Sequence, residues 1–172
     1  MLIRLPLKES LPAYYQTYYK HVGGKDLLHS LSNQIDEFAA AYTIPEQKES
    51  FAYATDKWTI REVIGHLIDT ERIFSYRILR LARRDATPMA GFDENEYARN
   101  SRYGAVPVTD LLGQWKSVRH SVVLLLENLD DSSLDFQGTA NGLPVTARML
   151  AFMVYAHAAH HLEVISTRYL AD

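Results

Sequence analysis

Residues 58–81, WTIREVIGHLIDTERIFSYRILRL, contain the clearest helix signal in the sequence. Apolar residues recur every three or four positions from Ile60 to Leu81, which is the spacing of an amphipathic α-helix. Thr59 precedes this stripe and Glu62 follows three positions later, so the two side chains can form a capping box. The segment therefore predicts a helix of about six turns with one buried face.

Three further segments repeat apolar residues at the same spacing, and they cover about 25–42, 109–129 and 146–169. Residues 84–107 contain two prolines and two glycines, and they predict a long crossover between the second and third helices, with at most a short helix near Glu94–Asn100. No stretch alternates apolar and polar residues for long enough to predict a strand, and residues 130–144 are interpreted as a turn-rich linker. The pattern favours an all-α four-helix bundle.

The composition is that of one globular domain over residues 1–172, with residues 1–24 as a lead-in that packs on the bundle. A net charge of −3 argues against nucleic-acid binding, which needs a clustered basic face. The absence of cysteine excludes disulfides, thiolate metal sites and a cysteine nucleophile. No signal peptide and no membrane-length apolar run are present, so we expect a cytoplasmic protein that does not bind membranes.

The densest basic stretch lies at the end of the helix predicted from residues 58–81 and contains Arg77, Arg80, Arg83 and Arg84. Cations are favoured at helix C-termini because of the helix dipole. We therefore predict a solvated helix end here and not a phosphate site.

His157 and His161 are four positions apart in the last predicted helix, so both imidazoles lie on one face, with Cβ atoms about 5–6 Å apart. This is how HExxH proteases carry two zinc ligands, although Ala158 stands where those enzymes have their glutamate. His160 offers a competing pair with His157 at a spacing of three. From spacing alone, a metal site and a partly buried pair hydrogen-bonded to neighbouring helices both stay open.

The surroundings of this pair favour a metal. The face around His157 is strongly apolar, and an unpaired buried imidazole nitrogen costs about 1–3 kcal/mol. A metal ion would satisfy both nitrogens at once. His66 lies in the middle of the 58–81 helix and can supply a third nitrogen if the two helices pack together. Three protein ligands leave coordination positions open, as in reactive sites.

Residues 58–71 resemble the signature helix of the DinB/YfiT-like superfamily, and residues 157–161 resemble its metal motif in the last helix. Residues 87–97 and 138–142 also resemble one branch of that family. The resemblance implies an up-down-down-up bundle, usually homodimeric, with zinc or nickel held by His66, His157 and His161. It also implies that His160 points away from the metal or lies next to its ligands. Many relatives carry a glutamine where this chain has Val164.

Several acidic residues could support such a site. Asp69 and Glu62 could orient the free ring nitrogen of His66, or could serve in surface solvation and helix capping. Asp93, Glu94 and Tyr97 could form a lid, or could belong to a flexible polar loop. His120 is predicted to be a core or boundary histidine, and Tyr14, Tyr15, Tyr18 and Tyr19 are predicted to pack the lead-in onto the bundle or a dimer partner.

A three-histidine ion with open positions can lower the pKa of bound water to about 7, and it can ionise a coordinated thiol. The sequence therefore predicts a metal-dependent enzyme acting on a small-molecule substrate, either a hydrolase or a transferase that uses a low-molecular-weight thiol as cosubstrate. The family takes its name from induction by DNA damage, which indicates no chemistry. A non-catalytic, stress-induced bundle that binds metal or another ligand is the alternative.

Overall fold

The computed structural model describes residues 2–22, 26–41 and 43–171. Within this part of the chain the helices are α1 (Ala13–Gln16), α2 (Leu27–Ala41), α3 (Ile60–Ala82), α4 (Glu94–Asn100), α5 (Val108–Glu127), α6 (Asp131–Leu134) and α7 (Ala147–Val164). Strands β1 (Gln137–Ala140) and β2 (Leu143–Thr146) lie between α6 and α7. Short 3₁₀ turns cover Lys8–Ser10, Thr17–His21, Glu46–Lys48 and Tyr103–Ala105, and a π-turn, Ile165–Tyr169, extends α7.

The four long helices pack into a bundle around an apolar core. α3 packs against α5 and α7, and α2 packs against the same two helices, so α2 and α3 lie diagonally across the bundle. These helices match the four predicted segments, although residues 25 and 42, the predicted ends of the first, lie outside the described residues. The short helix expected near Glu94–Asn100 is α4. None of the helices in the described residues is long and apolar enough to cross a bilayer.

The predicted capping box starts α3. The Thr59 hydroxyl accepts a hydrogen bond from the backbone amide of Glu62 at 3.3 Å, and the Glu62 carboxylate accepts one from the backbone amide of Thr59 at 2.8 Å. These two bonds satisfy backbone amide donors that the start of a helix otherwise leaves without a partner. Local sequence therefore fixes the register at which α3 begins.

The expectation of no strand was wrong, because β1 and β2 form an antiparallel hairpin with Gln137 opposite Thr146 and Ala140 opposite Leu143. Its turn residues, Asn141 and Gly142, have φ angles of 51° and 74°, which the Asn-Gly pair adopts readily. Met89 donates its backbone amide to the Thr139 carbonyl at 2.9 Å and accepts from the Asn141 amide at 2.9 Å. The hairpin therefore fixes the segment that follows α3.

An ionic network crosses the bundle core. Arg119 of α5 pairs with Glu71 of α3, and the two side chains are 2% and 3% exposed. The Glu71 carboxylate also accepts a hydrogen bond from the Trp115 indole at 2.7 Å, and Arg119 donates to the Gln34 side chain of α2 at 2.6 Å. Since Arg119 occupies the buried face of α5, His120 is exposed, and the prediction of a core or boundary position for it was wrong.

Candidate metal centre

Three histidine side chains converge between α3 and α7. The Nε2 atom of His157 lies 3.1 Å from that of His66 and 3.1 Å from that of His161. One ligand atom from each of the three lies within 4.8 Å of the others. Two nitrogens at about 2.05 Å from a tetrahedral zinc ion are about 3.3 Å apart, so the observed separations fit a shared ion.

Burial keeps these imidazoles uncharged at neutral pH. Desolvation lowers the pKa of His66 to about 4, against a smaller opposing effect of the Asp69 charge. Desolvation and the neighbouring histidines lower the pKa of His161 to about 3 and that of His157 well below the ordinary value. Neutral imidazole is the form that binds metals, so each of the three side chains can present a nitrogen lone pair.

The polar side chains near His66 on α3 have different partners. The Thr70 hydroxyl, one turn along α3, lies 3.4 Å from His66 Nδ1. Glu62 is engaged in the capping box, which is the helix-capping alternative that the sequence left open for it. Asp69 accepts a hydrogen bond from the Tyr103 hydroxyl at 2.7 Å, and its charge acts on the pKa of His66 without a hydrogen bond to it.

The fourth histidine of the region, His160, belongs to a different group. Its ring lies 5.4 Å from that of Tyr18 and 5.6 Å from that of His21, and it shares a possible ligand cluster with His21 and Glu163. The ammonium group of Lys20 lies 3.5 Å from the Glu163 carboxylate and would oppose a cation there. His160 therefore lines the same cavity as the three converging histidines without joining them.

The three histidines open into a cavity of about 410 Å³. Tyr15 and Tyr18 of the N-terminal segment form part of its wall, and both are buried. These lead-in tyrosines therefore line the site, a position that the sequence did not predict for them. The only available signal was the density of tyrosine in residues 14–19.

The three lid candidates have separate positions. Glu94 is the only carboxylate among the described residues that line the cavity. Asp93 caps α4 by accepting hydrogen bonds from the Asn95 and Glu96 amides, each at 2.9 Å. Tyr97 is 47% exposed and packs on Phe92, outside the set of residues that line the cavity.

At the other end of the cavity lies Arg77, which is 5% exposed. The prediction of a solvated helix end was therefore wrong for this arginine. It was missed because the segment that covers it is held in place by the hairpin, which is distant in sequence. A signal was present, since His66, Thr70, Phe74 and Arg77 are spaced four, four and three apart and share one face of α3.

Comparison with known proteins places this geometry in context. The model of the DinB superfamily matches residues 27–165, a span that includes all three converging histidines. The structure resembles YfiT from Bacillus subtilis, described as a probable metal-dependent hydrolase with an unusual four-helix bundle topology. The TM-score is 0.70 at 16% sequence identity, over 95% of this chain and 90% of that one, so the likeness shows the fold. No curated protein matches the chain.

Proposed function

Since the chain belongs to the DinB superfamily, we propose that it is a metal-dependent hydrolase in which His66, His157 and His161 hold one zinc or nickel ion. The observation that carries this proposal is the convergence of three partly buried, uncharged imidazoles on one wall of a cavity. The reaction class is supported by the description of YfiT, whose fold this chain shares. Nitrogen ligands alone do not choose between the two metals.

A divalent ion held by three neutral imidazoles supplies a Lewis acid that polarises a substrate oxygen and acidifies water. The protein side chains supply the remaining functions. Thr70 and the Trp58 ring, 4.8 Å from the ring of His66, hold that imidazole in place. Tyr15 and Tyr18 cover the cavity from the N-terminal side and limit access of bulk water.

Hydrolysis also needs a group that accepts a proton from the attacking water. We assign this role to Glu94, because it is the one carboxylate that lines the cavity in the described part of the chain. The Tyr18 hydroxyl is hydrogen-bonded to that of Tyr14 at 2.8 Å, and burial raises the pKa of Tyr18. Tyr18 therefore stays protonated at neutral pH and serves as a hydrogen-bond donor and not as the base.

Thiol transfer is the other chemistry that the family resemblance implied, and it needs a low-molecular-weight thiol as cosubstrate. No residue that lines the cavity in the described part of the chain selects a thiol over water. Hydrolysis is therefore the reaction we propose, and thiol transfer is one arm of the test.

The proposal treats residues 1–172 as a single domain, which the packing of the 3₁₀ turn Thr17–His21 on α7 supports. The up-down-down-up order, the long crossover between the second and third bundle helices and the homodimer stay predictions. So does the cytoplasmic location.

The test compares three variants of the zinc-loaded protein on panels of esters and amides, with and without added thiol. His157→Ala should lose both metal and activity, whereas Glu94→Gln should keep the metal and lose activity. Glu96→Gln is the matched control, because Glu96 lies on the same short helix and pairs with Arg99 away from the cavity. Full activity in His157→Ala would contradict the proposal, and metal-loaded protein without activity on any panel would favour the binding protein. Turnover only with added thiol would favour the transferase.

A further inference from the structure

The end of the cavity beyond the histidines contains a buried cation that has no carboxylate partner in the described part of the chain. Arg77 of α3 is 5% exposed, and no ion pair joins it to a carboxylate in the described residues. Its Nη2 donates a hydrogen bond to the Ala90 carbonyl at 2.6 Å, and its other donors have no acceptor there. A guanidinium carries five N–H donors and stays charged in proteins. Such a group is costly to bury unless an anion completes it.

Two aromatic rings and one carboxylate are the notable groups around Arg77. Its guanidinium carbon lies 5.8 Å from the Phe74 ring centre and 6.0 Å from that of Phe92, so two apolar rings lie next to it. Glu94 lines the same cavity and its charge raises the pKa of Tyr18, but it forms no ion pair with Arg77. The guanidinium is thus held in place by the Ala90 carbonyl and has no anionic partner among the described residues.

The spacing along α3 relates this cation to the three histidines. Arg77 follows His66 by eleven positions, which is about three helical turns and about 16 Å along the axis, on the same face. Helical side chains lean toward the N-terminus, so Arg77 leans toward His66. Thr70 and Phe74 occupy the face between them and line the cavity. A molecule that reaches both ends must be elongated and largely apolar in its middle.

We propose that Arg77 binds the carboxylate of an elongated small-molecule substrate whose reactive ester or amide group lies at the three histidines. A planar carboxylate matches the guanidinium fork in two parallel hydrogen bonds. A single positive charge balances a carboxylate, whereas a phosphate monoester carries up to two negative charges. This substrate class rests on the proposed hydrolase function, but the binding of the carboxylate does not depend on catalysis.

The binding test uses 4-phenylbutyrate and its neutral counterpart 4-phenylbutanamide as probes on the full-length, zinc-loaded protein. Calorimetry should show at least a tenfold preference for the carboxylate, and Arg77→Met should abolish that preference. Arg80→Met is the matched control, because Arg80 lies on the same helix, pairs with Asp85 and does not line the cavity. It should leave the preference unchanged. Since both variants keep the zinc ion, loss of the preference in Arg77→Met but not in Arg80→Met shows that zinc is not its source.

If the wild-type protein binds both probes equally, or binds neither, the inference is overturned. This comparison needs no variant, so it holds even if Arg77→Met fails to fold. Retention of the preference in Arg77→Met would overturn it as well. If 3-phenylpropyl phosphate binds more tightly than 4-phenylbutyrate, the site prefers a phosphate to a carboxylate, and the carboxylate assignment is overturned. A preference lost with Arg77 supports it.

An activity arm separates failure of this inference from failure of the proposed function. If carboxylate-bearing esters are hydrolysed at least tenfold better than their neutral counterparts, and only while Arg77 is present, both stand. Equal hydrolysis of charged and neutral esters would retain the hydrolase and overturn the carboxylate site. Carboxylate-selective binding without hydrolysis of any ester would retain the site and overturn the hydrolase.

Discussion

Replacing Glu71 by alanine is expected to lower the free energy of unfolding by about 3–5 kcal/mol, because it breaks a buried ion pair on one side only. Glu71 and Arg119 are 3% and 2% exposed. The carboxylate accepts hydrogen bonds from Arg119 Nη2 at 2.9 Å and from the Trp115 indole at 2.7 Å. Without it, a charged guanidinium and an indole N–H are left in the core, where neither can reach water.

The expected loss is a large fraction of the 5–15 kcal/mol by which native domains are stable, so urea unfolding followed by circular dichroism will resolve it. Asp36→Ala is the matched control, because the Asp36–Lys116 pair likewise joins α5 to another bundle helix, α2, but its side chains are 77% and 65% exposed. It should change stability by less than about 0.5 kcal/mol. If Glu71→Ala also changes the free energy of unfolding by less than about 0.5 kcal/mol, the interpretation of these residues as a buried, mutually dependent network is refuted.

Two further predictions concern α3. In metal-free protein, His66 alone should lower stability by up to about 3 kcal/mol as the pH drops from about 6.5 to about 4, because the folded state keeps it neutral while the unfolded state binds its proton. His157 and His161, whose pKa values are also lowered, should add losses in the same direction. A urea series over this range should show a weaker pH dependence in His66→Gln, and an unchanged dependence would contradict the burial argument. Gly65→Ala should cost about 1–3 kcal/mol, since its Cβ would lie 2.2 Å from the Tyr103 ring. Gly104→Ala, whose Cβ meets nothing within 4 Å, is the control in the same unfolding assay, and equal stability of the two variants would count against the close contact.

The start of α3 could be predicted from the sequence because its causes are local. The Thr59 capping box involves residues three apart, and the apolar stripe repeats within single turns. The pairing of His157 with His161 is also a property of one helix. The position of His66 opposite them depends on packing between α3 and α7, and there the family resemblance added what spacing alone did not give.

The residues that were missed depend on contacts distant in sequence. An arginine such as Arg119 is expected at the surface, and its burial depends on pairing with Glu71, which is 48 positions away in sequence. The two strands are only four residues each and are joined to the segment after α3 through Met89. That segment carries the Ala90 carbonyl that holds Arg77, so the burial of this arginine could not be inferred from α3 alone.

The metal content of untagged protein tests the central proposal most directly. After treatment with chelator, reloading and removal of excess metal, elemental analysis should find about one equivalent of zinc or nickel per chain. His157→Ala should retain less than about a tenth of an equivalent, whereas His120→Ala, which removes an exposed histidine of α5, should keep the full amount. Wild-type protein with less than about a tenth of an equivalent after reloading, or His157→Ala with a full equivalent, would contradict the three-histidine site.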